Sequence, residues 1–243
     1  MIGPFGLFFD PMYFVFALPA LILAMIAQWR VQATVKKYSQ VFTGRGQTGA
    51  RVARALLDYH GLQDVAVERG GGFLSDNYDP RTRVLHLSPA VYDTPSVSAV
   101  GIAAHETGHA IQHQEHYWPL AARSAIVPAV QFGSFLGPLV FMGGLLLSYF
   151  TASDIGIQVA WLGVALFSVV ALFALITLPV EFDASHRAKA LLQSYQFTSH
   201  DEQVGVTKVL DAAALTYVAG LAQALSTLLY YVFLLTGFGR RRR

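Results

Sequence analysis

The 243-residue sequence predicts a mainly α-helical membrane protein with about four transmembrane helices and a small α+β domain outside the bilayer. Charged residues make up only 13% of the chain, about half of the ~25% that is usual in soluble domains. The charges that are present fall in clusters and leave four long uncharged runs between them. The polar segment after the first run shows both helical and strand periodicity, which predicts a folded domain there.

The four uncharged runs contain 19, 30, 26 and 28 residues and cover residues 11–29, 124–153, 155–180 and 212–239. A helix needs about 20 apolar residues to cross the ~30 Å hydrocarbon core, so each run reaches or nearly reaches that length. The buried helices of soluble proteins are usually shorter and interrupted by polar positions. The low overall charge, +2, and the apolar composition also exclude a disordered chain and a strongly basic nucleic-acid-binding protein.

Basic residues predict the orientation of these spans. Ten of the 17 Lys and Arg lie in residues 30–123 and three lie in residues 181–211. Because Lys and Arg accumulate on the cytoplasmic side of membrane proteins, both segments are predicted to be cytoplasmic. The four arginines at 240–243 would then end outside if the fourth run spans fully. Either this tail is translocated, or the fourth run bends or stays partly embedded in the protein.

The uncharged runs divide the chain into five predicted segments. These are an N-terminal anchor at 1–29, a cytoplasmic domain at 30–123, a hairpin of two spans at 124–180, a helical segment at 181–211, and a fourth membrane helix with its basic tail at 212–243. In the hairpin, Gly133 and Gly137 are four residues apart and allow close helix packing. That packing is either internal to the chain or a dimer face, and the second alternative would make the protein a homo-oligomer.

Within residues 30–123 the pattern predicts helix, strand, turn, strand and helix. Residues 49–60 have apolar positions at helical spacing, and Gly61 suits the end of that helix. The segments DVAVER and TRVLHLS are typical of strands, and the Gly- and Asp-rich stretch between them is typical of turns. A long helix then begins at Thr94 or Ser96.

That last helix contains the sequence His105-Glu106-Thr107-Gly108-His109. Histidines at i and i+4 share one helix face, so both imidazoles can bind a single Zn²⁺ ion. Glu106 points about 100° away from His105 and can take a proton from a water molecule at the metal. The chain has no cysteine, so a metal can be held only by histidines and carboxylates. The alternative, two polar histidines on a solvated face, fits poorly with the apolar residues around them.

A catalytic zinc ion needs a third protein ligand. His113 continues the i+4 series, but a helix rises ~12 Å over eight residues, so one ion cannot bind all three histidines. Glu181 is the first charge after the third uncharged run, and the topology returns it to the side that holds the two histidines. We therefore predict Glu181 as the third ligand, with Asp183 orienting a histidine. The alternative for both acids is a cap at the membrane interface.

The segments AAHETGHAIQH, YDPRTRVLHLSPAVYD and LPVEFDASHRA together resemble the YugP-type bacterial membrane zinc metallopeptidases, also called neutral zinc metallopeptidases. The resemblance covers nearly the whole chain. It implies a multi-pass protein of the bacterial inner (plasma) membrane with a zincin-like, gluzincin-type site, in which His105 and His109 bind zinc and Glu106 is the general base. The segment around Glu181 is similar to the glutamate helix of HtpX-type membrane peptidases, whose pattern is E-x-x-x-D, but Ser185 stands at the position of that Asp.

The predicted function is zinc-dependent hydrolysis of peptide bonds in membrane or membrane-proximal proteins, with one Zn²⁺ ion in the site. The predicted partners are the substrate protein and the lipid bilayer, and no nucleic-acid partner is expected. In zincins the strand before the zinc helix pairs with an extended substrate, which points here to Arg83, Val84, Leu85, His86 and Leu87. Candidates for stabilising the oxyanion are His186, Arg187 and Tyr217. Two alternatives are a non-proteolytic zinc-containing scaffold or chaperone-like protein, and a zinc hydrolase of a lipid or a non-peptide amide.

Overall fold

The computed structural model describes residues 10–72, 75–151 and 154–240, with side chains as far as residue 237. Over these residues the chain forms, in order, α1 (Pro11–Tyr38), α2 (Gly49–Tyr59), β1 (Ala66–Arg69), β2 (Asn77–Asp79), β3 (Val84–Leu87), α3 (Pro89–Tyr92), α4 (Val97–Gln114), α5 (Trp118–Thr151), α6 (Asp154–Ser194) and α7 (His200–Arg240). Residues 241–243 of the arginine tail lie outside the described residues, as do residues 1–9 of the predicted anchor.

Four of these helices, α1, α5, α6 and α7, are long and apolar enough to cross a membrane. They contain three of the uncharged runs in full and residues 124–151 of the run at 124–153, and α6 and α7 extend well beyond their runs into polar sequence. Together with the single three-stranded sheet among the described residues, this confirms the predicted fold class. The chain is a mainly α-helical membrane protein with a small α+β domain.

Contacts divide the chain into two compact units. The first, here called the span unit, contains Met1–Ile26, Ala122–Thr177 and Val218–Arg243. Glycines bring α5 and α6 close together in this unit. A Cβ atom on Gly137 would lie 2.9 Å from Cβ of Phe167, and Gly133 faces the backbone of Leu166. Both glycines therefore pack against α6 of the same chain, as small residues do where helices approach closely in lipid.

The second unit, here called the polar unit, contains Ala27–Ala121 and Leu178–Tyr217. Its sheet has the order β1-β3-β2, with β1 parallel and β2 antiparallel to β3. The helix predicted at residues 49–60 is α2, and Gly61 follows it with a φ of 71°, the left-handed conformation that glycine adopts readily. Ser96 caps α4 by accepting a hydrogen bond from the Ala99 N–H at 3.2 Å.

The sheet corrects two of the sequence predictions. Residues 77–79 were predicted as part of a turn but form the short strand β2, whose Tyr78 is buried against the rest of the unit. The segment 83–87 was predicted to offer a free edge, but β3 is the central strand and is hydrogen-bonded on both sides. Arg83 precedes β3, and its carbonyl group accepts from the Ala66 N–H at 3.1 Å. The outer strands of the sheet are β1 and β2.

Helix α4 is the most enclosed element of the polar unit. One of its faces packs on α2 and β3 through Ala103, Ala110 and Ile111. Another face, with Val100 and Ala104, belongs to a second cluster that includes the end of α6 and the start of α7. This double burial holds the HETGH sequence inside the unit rather than on a solvated helix face.

Candidate metal centre

The two histidines of the HETGH sequence lie on one face of α4, as their spacing predicts. The ring centroids of His105 and His109 are 4.8 Å apart, and the rings are nearly perpendicular. His109 is 7% exposed and Glu106, on the same turn, is 9% exposed. Side chains so largely buried require partners for their polar atoms, and α6 supplies one for each imidazole.

Glu181 completes the cluster from α6. It is 2% exposed, and its Oε2 atom lies 3.2 Å from Nε2 of His105 and 3.7 Å from Nε2 of His109. The helices can approach because Gly108 has no side chain. A Cβ atom on Gly108 would lie 2.8 Å from the carbonyl oxygen of Ala184, which is too close for any other residue. The glycine inside the HETGH sequence thus allows α6 to bring Glu181 to the histidines.

These three residues fit a zinc ion. One ligand atom from each of His105, His109 and Glu181 lies within 4.8 Å of the others. Ligand atoms about 2.0–2.1 Å from a tetrahedral Zn²⁺ lie roughly 3.3–3.4 Å apart, close to the two distances from Glu181 to the imidazoles. Two imidazoles and one carboxylate also form one of the common ligand sets of catalytic zinc, which leaves a fourth position for water or substrate.

The chain matches, over residues 13–236, the sequence family described as "Putative neutral zinc metallopeptidase". This chain belongs to that family. It is also 47% identical over 224 residues to the Bacillus subtilis (strain 168) protein described as "Putative membrane protease YugP", an alignment that covers 92% of this chain and 96% of the relative. No solved structure matched the chain. Membership of the family makes zinc the metal that the three converging ligands imply.

The second ring nitrogen of His109 is held by Gln112. The Gln112 amide group donates to the carbonyl oxygen of Val180 and to Oδ2 of Asp183, both at 2.8 Å. Its Oε1 atom therefore faces Nδ1 of His109, at 3.0 Å. Because Oε1 can only accept, Nδ1 of His109 carries the proton and Nε2 keeps its lone pair for a metal.

The second ring nitrogen of His105 lies 3.1 Å from the hydroxyl group of Ser185. Ser185 is four residues after Glu181, so one face of α6 supplies both the carboxylate ligand and the partner of a histidine. This is the position that holds Asp in the E-x-x-x-D pattern. Asp183, which we expected to orient a histidine, contacts Gln112 instead and acts on His109 through that amide group. Gln112 was missed by the sequence analysis, although its i+3 spacing from His109 was a visible signal.

The cluster has a strong preference for positive charge. Burial disfavours the charged form of His109, but the hydrogen bond to Glu181 and the charges of Glu106 and Glu181 outweigh burial and raise the pKa of His109. Burial also disfavours ionised Glu181, yet the hydrogen bonds from His105 and His109 hold the pKa of this carboxyl group far below its usual value. Both shifts favour positive charge beside the carboxylates of Glu106 and Glu181, and a divalent cation that takes the place of the imidazole protons would supply that charge.

The other predicted site residues are distributed along α6 and α7. Arg187 donates from Nε to Oδ2 of Asp183 at 2.5 Å and from Nη1 to Oε2 of Glu115 at 2.7 Å, so its guanidinium group is engaged by two carboxylates. His186 is exposed on α6, and Tyr217 is partly buried on α7. A role for any of these side chains in stabilising an oxyanion stays a prediction.

Replacing Gln112 by Leu is expected to weaken zinc binding about 10- to 100-fold, as the loss of a partner of a metal-binding histidine usually does. The substitution removes the acceptor for the His109 Nδ1–H and leaves Asp183 without the amide group. Zinc affinity is measured by competition with a chelator. Gln114→Leu, the same change on the exposed side of α4, is the matched control and should keep the affinity of the unsubstituted protein. Equal affinities for the two variants would contradict the role of Gln112.

Proposed function

We propose that this protein is a membrane zinc endopeptidase that hydrolyses peptide bonds in membrane or membrane-proximal proteins. The convergence of His105, His109 and Glu181 beside the buried Glu106 is the observation that carries the proposal. The family description and the relative described as a membrane protease support the same class of reaction.

The chemistry follows from the residues of the cluster. A Zn²⁺ ion bound by the two histidines and Glu181 would act as a Lewis acid that polarises a carbonyl group and makes water more acidic. Glu106 is the general base: it takes a proton from the water whose oxygen attacks the peptide carbonyl carbon. Glu106 then gives this proton to the amide nitrogen, the C–N bond breaks, and a carboxyl and an amino terminus leave. Gln112 and Ser185 keep the two imidazoles oriented throughout.

An extended peptide is the substrate that the sheet favours. Strand β2 is an outer strand, antiparallel to β3, and the hydroxyl group of Tyr78 lies 2.8 Å from Nδ1 of His113 on α4. His113 is one helical turn beyond His109, so β2 lies beside the zinc helix. A strand edge in this place can pair with the backbone of a peptide, as in other cases of strand addition. This supports peptide hydrolysis over hydrolysis of a lipid or a non-peptide amide.

The proposed location is the bacterial inner (plasma) membrane, with the active site on its cytoplasmic side. The distribution of Lys and Arg supports this orientation, since ten lie in residues 30–123 and three in residues 181–211. Substrates would then be cut where cytoplasmic segments of membrane proteins leave the bilayer.

Membrane vesicles test both the activity and its side. We expect inverted inner-membrane vesicles that contain the full chain to cleave an added unstructured polypeptide, and right-side-out vesicles to leave it intact. Removing the metal with a chelator should lower the cleavage rate by about 10³-fold or more, and adding Zn²⁺ should restore it. Cleavage that survives in metal-free protein would contradict the proposal. A zinc-loaded protein that cleaves no polypeptide would favour the scaffold alternative.

A further inference from the structure

A cavity of about 360 Å³ lies in the polar unit between the end of α1 and the first half of α7. Its α1 wall consists of residues at three- and four-residue spacing, which share one face of the helix. Six of the eight residues that line it have polar side chains, and these are Arg30, Thr34, Lys37, Tyr38, Lys208 and Asp211. The volume falls in the range of pockets that bind small ligands.

The cavity carries uncompensated positive charge. Arg30, Lys37 and Lys208 line it, and within the described part of the chain none of the three forms an ion pair with a carboxylate. The one acid in the lining is Asp211, which accepts a hydrogen bond from Nζ of Lys189 at 3.1 Å. Lys189 therefore partly neutralises the negative charge of Asp211. Three cations around one partly neutralised carboxylate attract an anion.

The position of the cavity along the chain places it at the membrane boundary. Arg30 is the first charge after the uncharged run of residues 11–29, and Asp211 is the last charge before the run of residues 212–239. Both helices that form the cavity therefore change there from polar to lipid-compatible sequence. Phospholipid headgroups occupy this depth, and basic pockets at the ends of transmembrane helices are typical sites for anionic headgroups.

We propose that this cavity binds the phosphate headgroup of an acidic phospholipid. Arg30, Lys37 and Lys208 neutralise the phosphate, and the hydroxyl groups of Thr34 and Tyr38 offer further hydrogen bonds to its oxygens. This site is separate from the metal centre, and it depends on the membrane location of the chain rather than on its peptidase activity.

The test compares two neighbouring lysines of α1. Both lysines are exposed, but Lys37 lines the cavity and Lys36 lies outside its lining. Thermal unfolding of the full chain is followed in neutral detergent micelles that contain increasing amounts of phosphatidylglycerol or phosphatidylcholine. We expect phosphatidylglycerol alone to raise Tm in a saturable way. Combining Lys37→Gln with Lys208→Gln should weaken this apparent affinity about tenfold or more, and combining Lys36→Gln with Lys208→Gln should weaken it less.

Three results would overturn the proposal. Equal weakening by the two double variants would mean that a general surface charge attracts the lipid. Equal stabilisation by phosphatidylcholine would exclude selection for an acidic headgroup. Saturable stabilisation by glycerol 1-phosphate, with the same sensitivity to Lys37→Gln, would mean that a free phosphate compound is the ligand. Native mass spectrometry counts the retained lipid independently, so a variant of lower stability still gives a decisive result.

Discussion

A Glu106→Gln variant is expected to bind zinc as tightly as the unsubstituted protein but to cleave polypeptides at least about 10³-fold more slowly. The amide group has nearly the size of the carboxylate, but it cannot take a proton from the attacking water. Glu106 is not one of the three residues whose ligand atoms converge, so zinc should stay bound. Rates are measured with the vesicle assay, and zinc is measured by elemental analysis of the same preparation.

Glu68→Gln is the matched control for this experiment. Glu68 lies on the outer strand β1, its side chain is 59% exposed, and its Oε2 atom lies 3.9 Å from Nδ1 of His86. The Glu68→Gln variant should cleave polypeptides at the rate of the unsubstituted protein. A zinc-loaded Glu106→Gln variant that cleaves at the original rate would remove Glu106 from the mechanism while leaving the metal site intact. Comparing Glu106→Gln with Glu68→Gln separates the loss of the general base from the general effect of removing a negative charge.

Glu181→Ala is expected to lower zinc affinity by more than about 100-fold, because it removes a ligand itself rather than a partner of a ligand. With only His105 and His109 left, the ion has two protein ligands instead of the three that catalytic sites need. Zinc content after dialysis gives a first measure, and chelator competition gives the affinity. Zinc should also raise the Tm of the unsubstituted protein and leave the Tm of the variant unchanged.

Two further variants make this result specific. Glu181→Gln preserves the shape of the buried side chain and should give an affinity between those of the unsubstituted protein and Glu181→Ala, because an amide oxygen is a weaker ligand than a carboxylate. Glu68→Ala removes an exposed carboxylate and should leave zinc binding unchanged. Full zinc occupancy in Glu181→Ala would show that another side chain completes the site.

Much of the site could be predicted because its parts follow from local rules. The i and i+4 spacing of His105 and His109 determines that they share a helix face. Glu181 was predicted by combining the missing third ligand with the return of the chain after the third uncharged run. Its closeness to the histidines depends on Gly108 and on the approach of the Ala184 backbone, which no spacing rule describes.

The partners of the two imidazoles could be predicted only in part. Asp183 was favoured because a carboxylate is a common partner of a zinc-binding histidine. On a helix, however, a residue two positions from Glu181 points about 200° away from it, whereas Ser185, four positions away, returns to the same face. The chemical preference for an acid therefore misled the prediction, and helical geometry alone would have favoured Ser185.

The sequence by itself determined the membrane-spanning helices and the pair of histidines, because charge depletion and helical periodicity act between residues close in the chain. Only the tertiary structure decided which strand is central, since the pairing of β3 with both β1 and β2 is a contact between distant segments. It also brought Glu181 to within 3.2 Å of His105, across 76 positions of the chain. Such contacts result from the packing of the whole unit, in which side-chain volume and backbone approach matter more than local pattern.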